Sequence, residues 1–151
     1  MKYFTIKWWS GDSSNPSKPG ERYQAYLASV HERLPVSIAA FMRDCSLHNG
    51  QLKQLKLSTA EMQLELQIDG FNNYAGDEPR HYRIQYDGVM SVQSTGDPAV
   101  GLAGPHGYGD LGYDEFEVLA DGLFEHRMLF STGIELVVRF KSFGCKKYDL
   151  G

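Results

Sequence analysis

Four side chains could hold a metal ion or move a proton: His48, His126 and the adjacent carboxylates Asp114 and Glu115. Imidazole nitrogens and carboxylate oxygens suit zinc or manganese, and together they also serve acid–base chemistry. None of the histidines (His31, His48, His81, His106 and His126) falls in H-E-x-x-H or another compact ligand spacing. Such a site therefore has to be assembled by the fold. The strand period puts His126 on one face with Phe124, Met128 and Phe130, where a core histidine hydrogen-bonded to backbone or carboxylate is the competing expectation. Cys45 and His48 are spaced as a thiol and its base could be, yet Cys45 shares an apolar helical stripe with Phe41 and Met42, so core packing is expected there. Glu115 and Glu117 alternate onto one strand face, a spacing paired-carboxylate glycoside chemistry could use, but one any solvent-facing strand produces, which is the expectation here. The chain has no G-x-S-x-G elbow for a serine hydrolase.

"GYGDLG", residues 107–112, reads as G-x-G-x-x-G. A dinucleotide loop needs a strand before it and a helix after it, so that helix N–H groups meet the pyrophosphate. Here "YDEFEV" follows with strand alternation, and the preceding "DPAVGLAGPH" carries two prolines. Asp110, Asp114 and Glu115 would repel phosphate, and Asp110 and Leu111 stand where a P-loop needs Lys and Ser or Thr. No nucleotide and no other cofactor is expected; an irregular glycine-rich connection into a strand is.

The elements that must position these residues follow from periodicity. Phe4, Ile6 and Trp8 alternate with Thr5 and Lys7, which predicts a short strand. Tyr3, Phe4, Trp8 and Trp9 lie beside Lys2 and Lys7, a set that could stack on bases but fits a core-facing or edge strand better. Tyr23, Leu27, Val30 and Leu34 form a helical stripe ended by Pro35; Ile38, Phe41, Met42 and Cys45 form a second. From Leu55 the period becomes two: Met62, Leu64, Leu66 and Ile68; then Tyr82, Ile84 and Tyr86; then "YDEFEV", "FEHRMLF" and "IELVVRF". The expected fold class is α+β, two N-terminal helices packed on a mainly antiparallel sheet of about five or six strands, as one domain over residues 1–151.

Charge narrows the partners. Fifteen Lys and Arg stand against 19 acidic residues, a net charge of -4, which gives no overall attraction to nucleic acid or an anionic membrane. No apolar run has signal-peptide or membrane-spanning length, and Cys45 and Cys145 lack C-x-x-C spacing, so buried free thiols and a cytoplasmic location are expected. The charge is segregated. Seven acidic residues (Asp97, Asp110, Asp114, Glu115, Glu117, Asp121 and Glu125) lie between Ser94 and His126 with no Lys or Arg among them, whereas residues 1–56 hold eight basic and four acidic.

The succession "SLHNG", "LKQLKLSTAEMQLELQI", "YRIQYDGV", "LGYDEFEV" and "FEHRMLFSTGIELVVRFKSF" resembles a loose group of small bacterial α+β domains of unknown function, some similar to immunity proteins of toxin systems. The likeness covers roughly residues 41–143. Its motifs fall on Leu47 and His48, on Tyr113, Asp114 and Glu115, and on His126, Leu129 and Phe130; Asn49 stands where the group's pattern has aspartate. An amide accepts no proton near neutral pH, so the departure weakens any metal-ligand or base role there. The resemblance implies a non-catalytic cytoplasmic protein that neutralises a toxin by binding it. The first functional expectation is thus a non-enzymatic protein-binding domain whose acidic surface at Asp110, Asp114, Glu115 and Glu117 meets a basic protein. The alternatives are a small metal-assisted enzyme using His48, His126 and Asp114 or Glu115, and an oligomer-forming module built on an exposed sheet edge.

Overall fold

The computed structural model describes residues 1–11, 18–71, 78–95 and 107–149; Asp97 and His106 lie outside them. The elements in chain order are α1 (Ile6–Trp9), α2 (Pro19–Val30), a 3-10 turn (His31–Arg33), α3 (Val36–Asp44), β1 (Ser46–Ser58), β2 (Gln63–Phe71), β3 (Pro79–Asp87), β4 (Ser91–Thr95), β5 (Asp110–Val118), β6 (Phe124–Phe130), β7 (Glu135–Phe140) and β8 (Ser142–Asp149). The strands form one antiparallel sheet in the order β4-β7-β6-β5-β1-β2-β3-β8. Two helices on five or six strands is therefore corrected: among the described residues three α-helices and a 3-10 turn precede eight strands.

Both departures have a physical origin. The strands that alternation failed to mark, β4 and β8, are the outermost ones. In β4 Val92 is the one large aliphatic residue, and β8 ends in "KKYD"; a polar edge strand is a common defence against edge-to-edge association. At the N-terminus the expected strand is a helical turn. Thr5 caps it, its Oγ1 accepting from the Trp8 N–H at 3.3 Å. A strand would send Trp8 and Trp9 to opposite sides, but the turn gathers both, with Phe4, around Tyr113: Phe4 stacks on that ring at 4.9 Å, and the indoles meet it edge-on at 5.3 and 5.5 Å.

The sheet is curled. Leu64, Leu66 and Ile68 of β2 face Tyr86, Ile84 and Tyr82 of β3 in register, all with no exposed surface. Their inward side meets the inward side of β5, β6 and β7: Phe143 of β8 lies 5.4 Å from Phe116 of β5, and Tyr86 of β3 lies 5.0 Å from Phe140 of β7. The halves are joined by a bent ribbon, because β3 runs on into β4 while β7 runs on into β8. β3 pairs with β8 in one half and β4 with β7 in the other. Two backbone bonds carry the pairing across the corner, Lys141 N–H to Asp87 O at 3.0 Å and Met90 N–H to Arg139 O at 2.8 Å. Followed round, the pairings β5–β6–β7, the ribbon, β3–β2–β1 and β1–β5 close a circuit around the core. Phe41 of α3 packs into it edge-on against Phe116 and Phe143.

The outer side of β5, β6 and β7 is covered by the first residues of the chain. Glu115 accepts backbone N–H bonds from Lys2, Tyr3 (3.0 Å) and Phe4 (3.3 Å). Leu129 is fully buried on this side of β6. Among the described residues no helix is long and apolar enough to cross a membrane.

Candidate functional site: a cleft where two strands part

β1 and β5 pair at only two positions, Gly50 with Leu111 and Gln51 with Asp110. On the N-terminal side of that contact β1 swings away. It advances from Ser46 to Gln51 while its other neighbour, β2, advances only from Phe71 to Asp69, so the chain bulges outward through Leu47, His48 and Asn49. Asn49 takes φ +60°, the left-handed conformation that asparagine and aspartate tolerate better than other side-chain-bearing residues. The edge of β5 that β1 abandons is satisfied by side chains: Phe116 N–H donates to the Tyr23 hydroxyl at 2.6 Å and Val118 N–H to the Tyr26 hydroxyl at 2.8 Å. His48 Nδ1–H donates to the Gly112 carbonyl at 2.5 Å.

The glycine motif belongs to the same region. Gly107 and Gly109 have φ +58° and +78° and turn the chain toward β5. Gly112 lies in the strand, and a Cβ there would overlap the Trp9 ring. The three glycines thus serve a turn and an indole seat.

Between the parted strands, α2 and α3 lies a cleft of about 530 Å³. Phe4, Tyr23, Phe41, Tyr113 and Phe116 supply aromatic walls and Leu27, Met42, Cys45 and Leu47 aliphatic and sulfur surface; Gln24, Ser46, His48 and Asp114 are the polar side chains. The Cys145 thiol hydrogen-bonds Cys45, lowering the Cys45 thiol from its ordinary value and holding its own well above. Cys45 and Cys145 are both thiols, Cys45 buried and Cys145 half-buried.

Asp114 is the half-buried, cleft-lining end of a buried relay. His126 Nε2 lies 2.8 Å from Asp114 Oδ2, and His126 Nδ1 lies 2.7 Å from the Tyr86 hydroxyl. His126 and Tyr86 have no exposed surface, while the Asp114 side chain is 25% exposed. Burial, and then the Asp114 charge, push the Tyr86 phenol well above its ordinary value. A carboxylate only accepts, so Nε2 carries a hydrogen toward Asp114, and the buried phenol, whose hydrogen-bond partner is Nδ1, donates to it. Phe116 stacks on the imidazole at 3.9 Å and fixes its plane.

The residues expected at a site are divided by this arrangement. Asp114 and His48 line the cleft, and His126 stands behind Asp114. Glu115 faces the other side of β5, fully buried, bound to the N-terminal backbone and paired with Arg127 at 3.2 Å. Both His126 nitrogens are occupied within the protein, so neither offers a lone pair to a metal. Among the described residues no three His, Cys, Asp or Glu side chains cluster so as to hold one.

The acidic strand face is likewise not the open surface its alternation suggested. Arg127 ion-pairs with Glu115, Glu117 and Glu125; Lys2 reaches Glu117 at 3.0 Å, and Arg139 reaches Glu125 at 2.5 Å. Of Asp110, Asp114, Glu115 and Glu117, Asp110 alone is exposed, and it bonds Gln51 at 3.2 Å. Sequence reasoning passed over Tyr23, Tyr26 and Tyr86. The available signal was a tyrosine at an inward position, since a buried phenol needs a hydrogen-bond partner. Comparison of the sequence with protein-family models finds no matching family, and a search of curated proteins finds no match, so the functional reading rests on the geometry of the cleft.

Proposed function

We propose that this protein is a non-enzymatic binding domain whose site is the cleft between α2, α3 and the parted strands β1 and β5. The observation that carries this is a pocket of about 530 Å³, within the size range of small-molecule sites. It is mostly apolar and aromatic, with one carboxylate held in place from behind. Preformed walls with a few convergent polar groups are what a binding site requires. A catalytic role has less support: Tyr86 is fully buried, both nitrogens of His126 are engaged, and Cys45 is a core residue. The acidic segment offers a basic protein little, because the Glu115, Glu117 and Glu125 charges are already compensated by Arg127, Arg139 and Lys2.

The test is a fragment screen read by amide chemical shifts in an isotope-labelled sample. Hits are expected to move the amides of residues 45–48 and 112–116 together, and Met42→Trp, which fills the cleft, abolishes them in a protein that keeps its dispersed spectrum. Hits that consistently map elsewhere, or that survive Met42→Trp, overturn the reading.

A further inference from the structure

We infer that the cleft takes an organic cation, specifically a protonated amine carried on an apolar or aromatic body; this rests on the cleft being the binding site. Among the described residues Asp114 is its one Asp, Glu, Lys or Arg lining residue. Glu115, Glu117 and Glu125 on the opposite face are each matched by Arg or Lys. Among the described residues the charged-group partner of Asp114 is His126, which meets it through a single N–H while its other nitrogen is taken by the Tyr86 hydroxyl. The relay therefore orients the carboxylate without cancelling its charge, and the carboxylate keeps acceptor capacity toward the cleft. A bound ammonium would complete the pair that the fold leaves open.

The walls select for the same chemistry. Phe4, Tyr23 and Tyr113 line the cleft as one packed aromatic cluster, with centroids 4.9 Å apart for Phe4–Tyr113 and 5.7 Å for Phe4–Tyr23, and aromatic surroundings of this kind favour a cation over an anion. His48 adds direction. Its Nδ1–H is committed to Gly112, so in the unprotonated ring Nε2 is the acceptor, which an ammonium bearing N–H groups can use and a quaternary one cannot.

Three probes of matched shape decide it: benzylamine, benzyl alcohol and benzoate at neutral pH, titrated against the labelled protein. Benzylamine is expected to shift the amides of Gly112, Tyr113, Asp114 and Phe116 to saturation. The alcohol should bind about tenfold or more weakly, since charge-assisted hydrogen bonds and ring attraction are both lost, and benzoate should leave these amides unmoved. Asp114→Asn should bring benzylamine down to the affinity of the alcohol while leaving the alcohol unchanged. Equal binding of amine and alcohol to the unaltered protein overturns the cation inference yet leaves the cleft in place as a site; this comparison stands even if Asp114→Asn fails to fold. No movement of these amides with any probe, together with an empty fragment screen, counts against the cleft reading itself.

Discussion

Replacing Tyr86 with phenylalanine deletes one oxygen from the buried end of the relay and leaves the ring, its 5.0 Å contact with Phe140 and its 5.6 Å contact with Phe143 intact. What changes is His126. Its Nδ1 loses a 2.7 Å hydrogen bond in a place with no exposed surface, where an unpaired acceptor costs about 1–3 kcal/mol. The lost phenol offsets a fraction of this, because a buried hydroxyl no longer has to be desolvated, so a net loss of about 2 kcal/mol is expected. At roughly 2–4 °C per kcal/mol for a chain of this size, the melting temperature falls by about 4–8 °C. Urea unfolding should show a lower midpoint with an unchanged slope. The sign must reverse in a second background: with His126→Phe already in place, the Tyr86 hydroxyl is the orphan, and Tyr86→Phe becomes neutral or stabilising. Nitrogen shifts of the His126 ring should report the Nε2–H tautomer in the unaltered protein. A loss below about 0.5 kcal/mol, additivity with His126→Phe, or the Nδ1–H tautomer would each refute the relay as drawn.

Three further outcomes follow from the same structure. Asn49→Ala should cost about 1 kcal/mol because its φ is +60°, whereas Asn49→Asp and Asn49→Gly should stay within about 0.5 kcal/mol; equal losses for all three in urea melts would show that the side chain, not the backbone, sets this position. Gly112→Ala should expel the Trp9 indole from its seat on Tyr113, seen as a red-shifted, more quenchable tryptophan emission, and an unchanged spectrum would contradict the close approach. For Glu117, burial opposes ionisation, but the hydrogen bonds from Arg127 and Lys2 outweigh it and hold the carboxyl below its ordinary 4.5. A depressed folded pKa gives stability that is present above the unfolded value and lost as pH falls through the folded one. Glu117→Gln should therefore flatten the loss of urea midpoint below about pH 4.5, the ordinary carboxyl range, and an unaltered acid limb would count against the pairing.

Much of the sheet's interior was legible because both sides of a pairing repeat the same period: Leu64, Leu66 and Ile68 answer Tyr86, Ile84 and Tyr82. What periodicity cannot see is where a strand ends up in the order, and so β4 and β8, polar because they are outermost, carried no signal. Phe4, Ile6 and Trp8 alternate like a strand, but Thr5 capping and a common aromatic target on Tyr113 made a turn instead. At the site, His48, Asp114 and His126 stood out as residue types, and strand geometry alone separates Asp114 from Glu115, since neighbours point to opposite faces. That Glu115 would be occupied by the backbone of Lys2, Tyr3 and Phe4 depends on contacts more than a hundred residues apart in sequence, which no local pattern records. The choice of asparagine over aspartate at position 49 also takes a different meaning. At φ +60° both residues meet the same backbone demand, so the exchange says little about metal or base chemistry.

The bent ribbon has a kinetic consequence. Its two arms are drawn from distant parts of the chain: Arg80 must find Asp149, Ser91 must find Arg139, and the circuit closes only when Gly50 meets Leu111. The hairpins β1–β2, β2–β3, β5–β6 and β6–β7 can form early, each from neighbouring sequence, but ring closure has to wait for long loops to collapse, and loop entropy is lost before those contacts repay it. Folding should run on the slow side, in the millisecond-to-second range typical of non-local β topologies. Until the ribbon shuts, the inner faces of both half-sheets are open to solvent, which makes that closing step the interval in which a nascent chain is most exposed to association with its own copies.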